Sequence, residues 1–232
     1  MQLWYSSPST TTIESLFLEK NDLNGNVENA ICQLREKGTL EAFTTDCGKT
    51  NSKIKCDCCT NCPKTNNSVP AQIDTGSNNL PAVDLKSHDN GISNVLHIVS
   101  GETIFINNTP QNKAYAWIVE RDLLKLGEQS ENLVQRYVIA LMYFQLSGES
   151  WKTKSWLSPN QNECSFKGIT CDQYYRITEI DLSNQMLTGE LPAEISRLSS
   201  LTKLNLGFNR ISGNIPVQWG GLMMLGKCIN IH

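Results

Sequence analysis

The segment Ile180-Asp-Leu-Ser-Asn-Gln-Met-Leu-Thr-Gly-Glu-Leu-Pro192 is repeated as Leu204-Asn-Leu-Gly-Phe-Asn-Arg-Ile-Ser-Gly-Asn-Ile-Pro216. Aligned positions of the two copies, such as Leu182 and Leu206, are 24 residues apart. In each copy, two apolar residues separated by one outward residue predict a short strand with its apolar side chains on one face. The recurring Gly and Pro exclude a single amphipathic helix, because a helix interior tolerates neither.

A period of this length with this spacing of leucines is that of a leucine-rich repeat, an α/β solenoid of short parallel strands. One repeat cannot bury its own apolar side, so neighbouring repeats must stack. Residues 13–27 match residues 201–215 position by position in the paired leucines, the Asn, the next apolar residue and the Gly. We therefore predict that the chain opens with part of another repeat.

Nine cysteines are present, and six of them fall between residues 32 and 62: Cys32, Cys47, Cys56, Cys58, Cys59 and Cys62. Such clustering is typical of an oxidising compartment, and the cluster lies where a solenoid end needs a stapled cap. Four thiolates within residues 56–62 offer an alternative zinc site. The adjacent pair Cys58-Cys59 disfavours that alternative. Six cysteines allow 15 connectivities, so their pairing stays open.

Residues 65–94 are predicted to be a linker, because Asn, Ser, Pro, Asp and Gly dominate most of this stretch and apolar periodicity is lost. Asn66 begins one N-glycosylation sequon and Asn107 begins another. The linker is an accessible place for a glycan. Both asparagines are therefore candidate glycosylation sites.

The next stretch contains short apolar segments and two helical patterns. Residues 95–99 and 103–106 are predicted to form strands or extended chain. Thr109-Pro110 predicts the start of a helix, since Thr is a good N-cap and Pro is tolerated in the first turn. Ser130 starts a second helix that ends near Gly148, with apolar side chains three and four residues apart. Three aromatic residues at helical spacing are interpreted as core rather than as a ligand cage: Trp117, Tyr137 and Phe144.

The segment Cys164-Ser-Phe-Lys-Gly-Ile-Thr-Cys171-Asp172 follows these helices and precedes a strand. This order resembles the N-terminal cap of plant-type leucine-rich repeat proteins, including the ectodomains of plant receptor kinases and polygalacturonase-inhibitor-like proteins. The Cys-Cys-Thr-x-Cys cluster is similar to that of algal cell-surface repeat proteins. The resemblance implies a disulfide between Cys164 and Cys171 and a location outside the cell or at its surface.

Phe166 replaces the Trp of the family pattern, and Pro63 stands where the family has a paired cysteine after Cys62. Two further departures concern the repeats. Gln185 stands where the repeat has an Asn, so we expect the ladder of Asn side chains to begin one repeat later. After Leu225, Cys228 and Asn230 occupy the positions of Leu204 and Leu206, so we expect an open apolar end. The predicted domains are the end of one array with a Cys-rich C-terminal cap (1–64), a linker (65–94), a helical N-terminal cap (95–176) and truncated repeats (177–232).

Composition and motifs narrow the function. The formal net charge of -3 leaves no basic footprint for nucleic acid. The longest apolar run, residues 138–144, is too short to span a membrane. No catalytic motif, phosphate-binding loop or kinase signature is recognisable, so we expect neither an enzyme nor a cofactor. The outward residues of the strands remain as candidates for binding: Glu179, Asp181, Ser183, Lys203, Asn205 and Phe17.

The leading hypothesis is a non-enzymatic interaction module that binds a protein or glycan partner at the cell surface. The first alternative is an ectodomain fragment of a receptor-like signalling protein whose effector is not in this chain. The second alternative is a small metal-binding protein built on the cysteine cluster at residues 56–62.

Overall fold

The computed structural model describes residues 13–27, 31–32, 40–47, 53–56, 58–60 and 91–219. Its strands are β1 (Ser15–Phe17), β2 (Asp22–Leu23), β3 (Gly25–Asn26), β4 (Ala42–Thr44), β5 (Ile54–Lys55), β6 (Ile169–Cys171), β7 (Ile177–Asp181), β8 (Thr188–Glu190), β9 (Lys203–Asn205) and β10 (Arg210–Gly213). Its α-helices are α1 (Gly91–Ser100), α2 (Pro110–Ala116) and α3 (Leu133–Gln145). Short helical turns cover Gly101–Phe105, Trp117–Arg121, Gly148–Ser150, Glu163–Ser165 and Ala193–Arg197.

The principal sheet has five strands in the order β4-β1-β9-β7-β6. All neighbours are parallel except β6 and β7, which are antiparallel. Along each repeat the apolar residues, such as Ile180, Leu182, Leu204 and Leu206, are buried beneath the sheet. The predicted α/β solenoid of short parallel strands is confirmed.

A second ladder of short strands follows the first within each repeat, in the order β2-β10-β8. The Gly that recurs in the sequence belongs to this ladder. Gly189 has a φ of 108°, and a Cβ there would lie 2.3 Å from the carbonyl oxygen of Gln145 in the helical cap. Both the left-handed backbone and the close approach require glycine.

The order of the strands corrects the expectation of an open apolar end. β1, near the beginning of the chain, lies beside β9, near its end, with Leu16 opposite Leu204. Leu16, Leu18 and Leu23 of the N-terminal segment are buried in the same hydrophobic core as Leu206. The two predicted arrays therefore form one solenoid. Residues 13–27 cover the apolar face of the repeat that contains β9.

Asparagine side chains tie the repeats together inside the turns. Asn209 Nδ2 donates to the carbonyl oxygens of Leu182 (2.9 Å) and Leu206 (2.8 Å), and its Oδ1 accepts from the N–H groups of Gln185 and Leu187. These bonds satisfy backbone groups that the curved chain would otherwise leave unpaired.

Gln185 has a different role from Asn209. Its Oε1 accepts a hydrogen bond from the Thr153 N–H (3.1 Å) in the helical cap, and its Nε2 donates to the Ser183 carbonyl. The longer side chain thus joins the first repeat to the cap. The Asn ladder begins one repeat later, at Asn209.

The helical cap contains one clear departure from the sequence prediction. Residues 95–99 and 103–106, expected to be strands or extended chain, instead belong to α1 and to the helical turn Gly101–Phe105. Residues 91–94, assigned to the linker, form the first turn of α1. A short apolar run fits either structure, and packing decides here because Leu96 is fully buried while Ile98 is exposed.

The other two predicted helices are present, although the second covers Leu133–Gln145 and so begins three residues after the predicted start at Ser130. Thr109 caps α2, accepting a hydrogen bond from the Asn112 N–H (3.0 Å), and Pro110 is the first helical residue. Tyr137 of α3 is buried, and its hydroxyl donates a hydrogen bond to Ser100 Oγ (2.8 Å). Burial of Tyr137 raises the pKa of its phenol well above its ordinary value. Trp117 and Tyr137 are core residues and Phe144 is half-buried against the core, as the interpretation of these aromatics required.

A buried ion network holds α3 to the rest of the cap. Arg136 donates two hydrogen bonds to Asp122 (2.7 and 2.8 Å) and one to Glu163 (3.0 Å), with all three side chains almost completely buried. The Arg136 guanidinium also lies 5.0 Å from the centre of the Trp117 ring. Burial acts to lower the pKa of Arg136, but the hydrogen bonds and charges of the two carboxylates outweigh it, so the pKa is raised.

Candidate functional site

The register of the parallel strands builds one continuous concave face from four strands. Its first row is Glu179, Lys203, Ser15 and Ala42, and its second is Asp181, Asn205, Phe17 and Thr44. Side chains of alternate residues point to the same face of a strand, so these rows lie together on the accessible face, half-buried or exposed. The apolar residues between them are buried: Ile180, Leu204, Leu16 and Phe43. We call these two rows, with the residues flanking them on the four strands, the concave face.

The structure brings the six candidate binding residues together on adjacent strands. Lys203 Nζ lies 4.0 Å from Glu179 Oε2. Asp181 Oδ1 accepts hydrogen bonds from the Ser183 N–H (3.0 Å) and hydroxyl (2.7 Å), and its Oδ2 accepts from Asn205 Nδ2 (3.2 Å). This network fixes the carboxylate of Asp181 while leaving its residue exposed to solvent.

Phe17 lies on the strand beside Asn205. The sequence predicted an exposed aromatic, but Phe17 is half-buried, because β9 and β4 pair with its strand on both sides. An aromatic side chain that is partly fixed and partly accessible loses little conformational freedom on binding. Aromatic residues are enriched among those that contribute most to interfaces.

Sequence reasoning missed the strand that completes the face. β4 contributes Ala42 and Thr44, and the Thr44 hydroxyl donates a hydrogen bond to Glu19. The signal was present, since Leu40 and Phe43 repeat the spacing of Ile13 and Leu16. The spacing alone did not say that β4 would pair with β1.

Phe208 at the rim of the face was also missed. It is 49% exposed and has a φ of 60°, a left-handed conformation that is unusual for a bulky residue. Lys20 Nζ lies 4.4 Å from the centre of its ring. Lys20 and Asn184, at the equivalent position in their repeats, also have a positive φ. The left-handed backbone conformation at this position is therefore common to all three repeats. The large side chain is the unusual element.

Negative charge predominates on the concave face. Among the described residues on and beside its rows, the cations are Lys20 and Lys203, together with Lys152, whose ammonium group bonds Asn184 (2.6 Å). Six carboxylates lie there: Glu14, Glu19, Glu41, Asp46, Glu179 and Asp181. Several of them are engaged within the protein, as Asp46 is by accepting from the Asn21 N–H (2.6 Å). Carboxylates therefore outnumber ammonium groups on the described part of the face.

Disulfides join the cysteines of both caps. Cys164 pairs with Cys171 beside β6, Cys32 pairs with Cys58, and Cys56 pairs with Cys59. Cys47 is disulfide-bonded as well, and Cys62 lies outside the described residues. Zinc requires thiolates, so the pairing of three of the four cysteines in residues 56–62 opposes the zinc hypothesis.

Of the two candidate glycosylation sites, the structure describes one. Asn107 is exposed, in the turn that leads into α2. Asn66 lies outside the described residues. Among the helices that the structure describes, we find none long and apolar enough to cross a membrane.

Comparison with known proteins supports the repeat pattern directly. The family model "Leucine Rich Repeat" matches residues 176–198 and 200–222. These segments are leucine-rich repeats. They contain β7 and β9. Four of the six candidate binding residues lie on these two strands, and a fifth, Ser183, follows β7 by two residues.

The leucine-rich repeats of this chain are similar to those of plant receptor-like proteins. The Arabidopsis thaliana protein "Receptor-like protein kinase 7" is 46% identical over 69 residues, covering 29% of this chain and 7% of that protein. "Receptor-like protein 3" of the same plant is 44% identical over 61 residues, covering 25% of this chain and 8% of that protein. The chain thus spans less than a tenth of these relatives, and the kinase relatives match it only in the repeat region.

Among solved structures, "Crystal structure of PEPR1-AtPEP1" matches with 31% identity and a TM-score of 0.27, covering 34% of this chain and 10% of that chain. The BIR3–SERK2 complex from Arabidopsis thaliana matches with 29% identity and a TM-score of 0.26, covering 32% of this chain and 42% of that chain.

Proposed function

We propose that this chain is a non-enzymatic binding module whose concave face holds an extended segment of a protein partner at the cell surface. The observation that carries the proposal is the in-register alignment of outward side chains on four parallel strands drawn from both ends of the chain. Two repeats alone would offer a small face. The pairing of β1 with β9 doubles the number of strands that contribute.

The dimensions of the face suit an extended peptide. Parallel strands are about 4.8 Å apart, and an extended chain rises about 3.3 Å per residue. A peptide that crosses the four strands therefore contacts them with about five residues. Phe17 lies on the third strand from the helical cap, so it would meet the middle of such a segment.

The charge of the face suggests the chemistry of the partner. Carboxylates outnumber ammonium groups on and beside the rows, and complementary charge raises association rates and selects partners. The favoured ligand is a basic segment rich in Lys or Arg. Phe17 and Phe208 offer apolar and cation–π contacts to the same side chains.

The test uses the full chain secreted from a eukaryotic host and two defined probes, a displayed library of random 12-residue peptides and an array of plant and algal oligosaccharides. We expect enrichment of peptides with several Lys or Arg residues. Asp181→Lys is expected to weaken the binding of the selected peptides at least tenfold, since it reverses an exposed charge on the face, on the strand nearest the helical cap. The matched control is Glu131→Lys, an exposed carboxylate on the helical cap.

Three results would contradict this proposal. Selected peptides without a charge bias would remove the electrostatic argument, and equal losses for Asp181→Lys and Glu131→Lys would place binding elsewhere. Saturable binding to oligosaccharides alone would make the ligand a glycan.

A second candidate is the ectodomain of a receptor-like signalling protein, which the names of the plant relatives favour. Both candidates place the chain in the secretory route. Intact mass of natively sourced protein, alkylated without reductant, tests that placement: we expect few alkyl groups and a mass loss on removal of N-glycans. Alkylation of all nine cysteines and no glycan would reject both candidates.

A further inference from the structure

The contact between the two ends of the chain is a complete sheet junction. We call it the seam: β1 and β2 on one side, β9 and β10 on the other. Leu206 N–H donates to the Phe17 carbonyl (2.9 Å), Phe208 N–H to the Glu19 carbonyl (2.8 Å) and Asn24 N–H to the Gly213 carbonyl (2.9 Å). Hydrogen bonds therefore run along both ladders of the solenoid across the seam.

The seam reproduces the junction between the two covalently consecutive repeats. At that junction Asn209 bonds the Leu182 carbonyl of the preceding repeat. At the seam Asn21 Nδ2 bonds the Leu206 carbonyl (3.1 Å), and its Oδ1 accepts from the Ile211 N–H (2.9 Å). Since register and ladder are the same, residues 13–27 occupy the place of the next repeat.

The sequence explains why a distant segment takes that place. Extending the 24-residue period from Leu204 and Leu206 leads to Cys228 and Asn230. The N-terminal segment supplies Leu16 and Leu18 at the same two positions, both fully buried. Leucines fill these core positions, which Asn would fill only by burying an amide at a cost in free energy.

The covalent connection does not by its length force the two sides together. Residues 61–90 separate Thr60 from α1, and thirty residues can reach about 100 Å. The sheet they must bypass is five strands wide, about 20 Å at 4.8 Å per strand. The contacts of the seam, rather than a tight tether, must therefore hold the N-terminal residues in place.

We propose that the edge of β9 and β10 at the seam is an acceptor surface for the N-terminal module, meaning the described residues from 13 to 60. The chain's own module closes this edge, and the same module of a second copy fits it equally. The partner implied by this surface is thus a second copy of this chain, joined by exchange of modules. A linked module has an effective concentration of about 1 mM, so exchange dominates only near such concentrations or when the connection is cut.

The experiment cuts the connection in the intact protein. A site for a sequence-specific protease replaces residues 71–77, and the full chain is purified before cleavage. We expect two bands on a denaturing gel without reductant, and one complex of both fragments by size-exclusion chromatography at micromolar concentration. When cleaved unlabelled and ¹⁵N-labelled proteins are mixed, native mass spectrometry should detect complexes that contain one fragment of each.

A pair of variants separates the seam from general stability. Asn21→Ala removes seam hydrogen bonds and is expected to weaken the affinity between fragments about tenfold. Gln185→Ala alters the same position of the repeat at the helical cap, away from the seam, and should leave that affinity unchanged. Equal effects of the two variants would show that the seam contacts do not set the affinity, which contradicts the proposal.

Three further outcomes would overturn the inference. A single band without reductant would mean that a disulfide joins the fragments. Separation of the fragments at micromolar concentration would mean that the seam contacts are too weak. Absence of mixed complexes after days of incubation would mean that the acceptor surface does not exchange its module.

Discussion

The two ends of the five-stranded sheet are closed by different means. At the β6 end, the chain runs continuously from the helical cap into the first repeat, and the cap contains the buried network of Arg136, Asp122 and Glu163. At the β4 end, the N-terminal module is added across the seam and stapled by disulfides. Thr60 pairs with the outer edge of β4, donating its N–H to the Phe43 carbonyl (2.8 Å).

The difference shows that a solenoid end can be closed without chain continuity when the register matches. The cap end depends on a buried charge cluster, which is stable only while every partner is present. The seam end depends on leucines and backbone hydrogen bonds, and the loss of any one of these leaves no buried charge without its partner. The two ends should therefore respond differently to single substitutions.

The largest effect is expected from Arg136→Met. Removal of the guanidinium leaves Asp122 and Glu163 as buried carboxylates without their cation, and breaking a buried pair in this way costs about 3–5 kcal/mol. The free energy of unfolding in urea measures the loss. Arg121→Met, at an exposed arginine of the same cap, should change it by less than about 0.5 kcal/mol. A similar loss for both variants would mean that the network does not stabilise the cap.

Paired leucine substitutions compare the two ends more finely. Leu18→Ala and Leu182→Ala remove equivalent buried side chains and should each cost about 2–5 kcal/mol. Leu18 lies at the seam, so its loss should speed hydrogen exchange at the amides of Leu206 and Phe208 while leaving α3 protected. Leu182→Ala should weaken protection in the cap as well. Equal acceleration of α3 by both variants would mean that the ends unfold as one unit.

Much of the fold followed from spacing in the sequence. The aligned leucines predicted the strands, and Thr109 with Pro110 predicted the start of α2. Both signals depend only on residues that are close together in the sequence. α1 was missed since a short apolar run suits a strand or a helix, and only burial of Leu96 distinguishes them. The Arg136 network was missed because its carboxylates, Asp122 and Glu163, are 14 and 27 residues away in the chain.

The candidate site was predicted in part. Five of its six residues followed from the two clear repeats, and Phe17 followed from the match of residues 13–27 to the second repeat. The sequence did not predict that these residues would lie on one face. Periodicity locates strands along the chain, but it does not say which strands pair at their edges. The poor fit of Cys228 and Asn230 to a leucine position, beside the good fit of Leu16 and Leu18, was the available signal.

A smaller effect is expected where the sequence departs from the repeat pattern. Gln185→Asn restores the residue that the pattern prescribes, yet it should destabilise the protein by about 0.5–1.5 kcal/mol. The shorter side chain would no longer reach the Thr153 N–H in the helical cap. Thermal unfolding measures the change, with Asn209→Gln as the reciprocal control at the next repeat. A gain in stability for Gln185→Asn would show that the bond to the cap is unimportant.

The smallest effect concerns the hairpin that closes the cap end, where Asp172 receives hydrogen bonds from the Arg176 side chain (2.7 Å) and from the N–H groups of Tyr174 and Arg176. Slight desolvation acts to raise the pKa of Asp172, but these hydrogen bonds outweigh it, so the pKa is lowered.

Because the folded protein holds this carboxyl ionised, its contribution to stability is complete above the ordinary pKa of Asp and is lost as the pH falls through the lowered value. An NMR titration of the Asp172 carboxyl should find its midpoint below that of a model peptide. Arg176→Gln should move the midpoint upward, while Arg210→Gln, an exposed arginine at the seam, should leave it unchanged. A midpoint that is the same in all three proteins would mean that the hydrogen bonds to Asp172 do not persist in solution, and the buried Arg136 network would then be the main ionic contact among the described residues of the cap end.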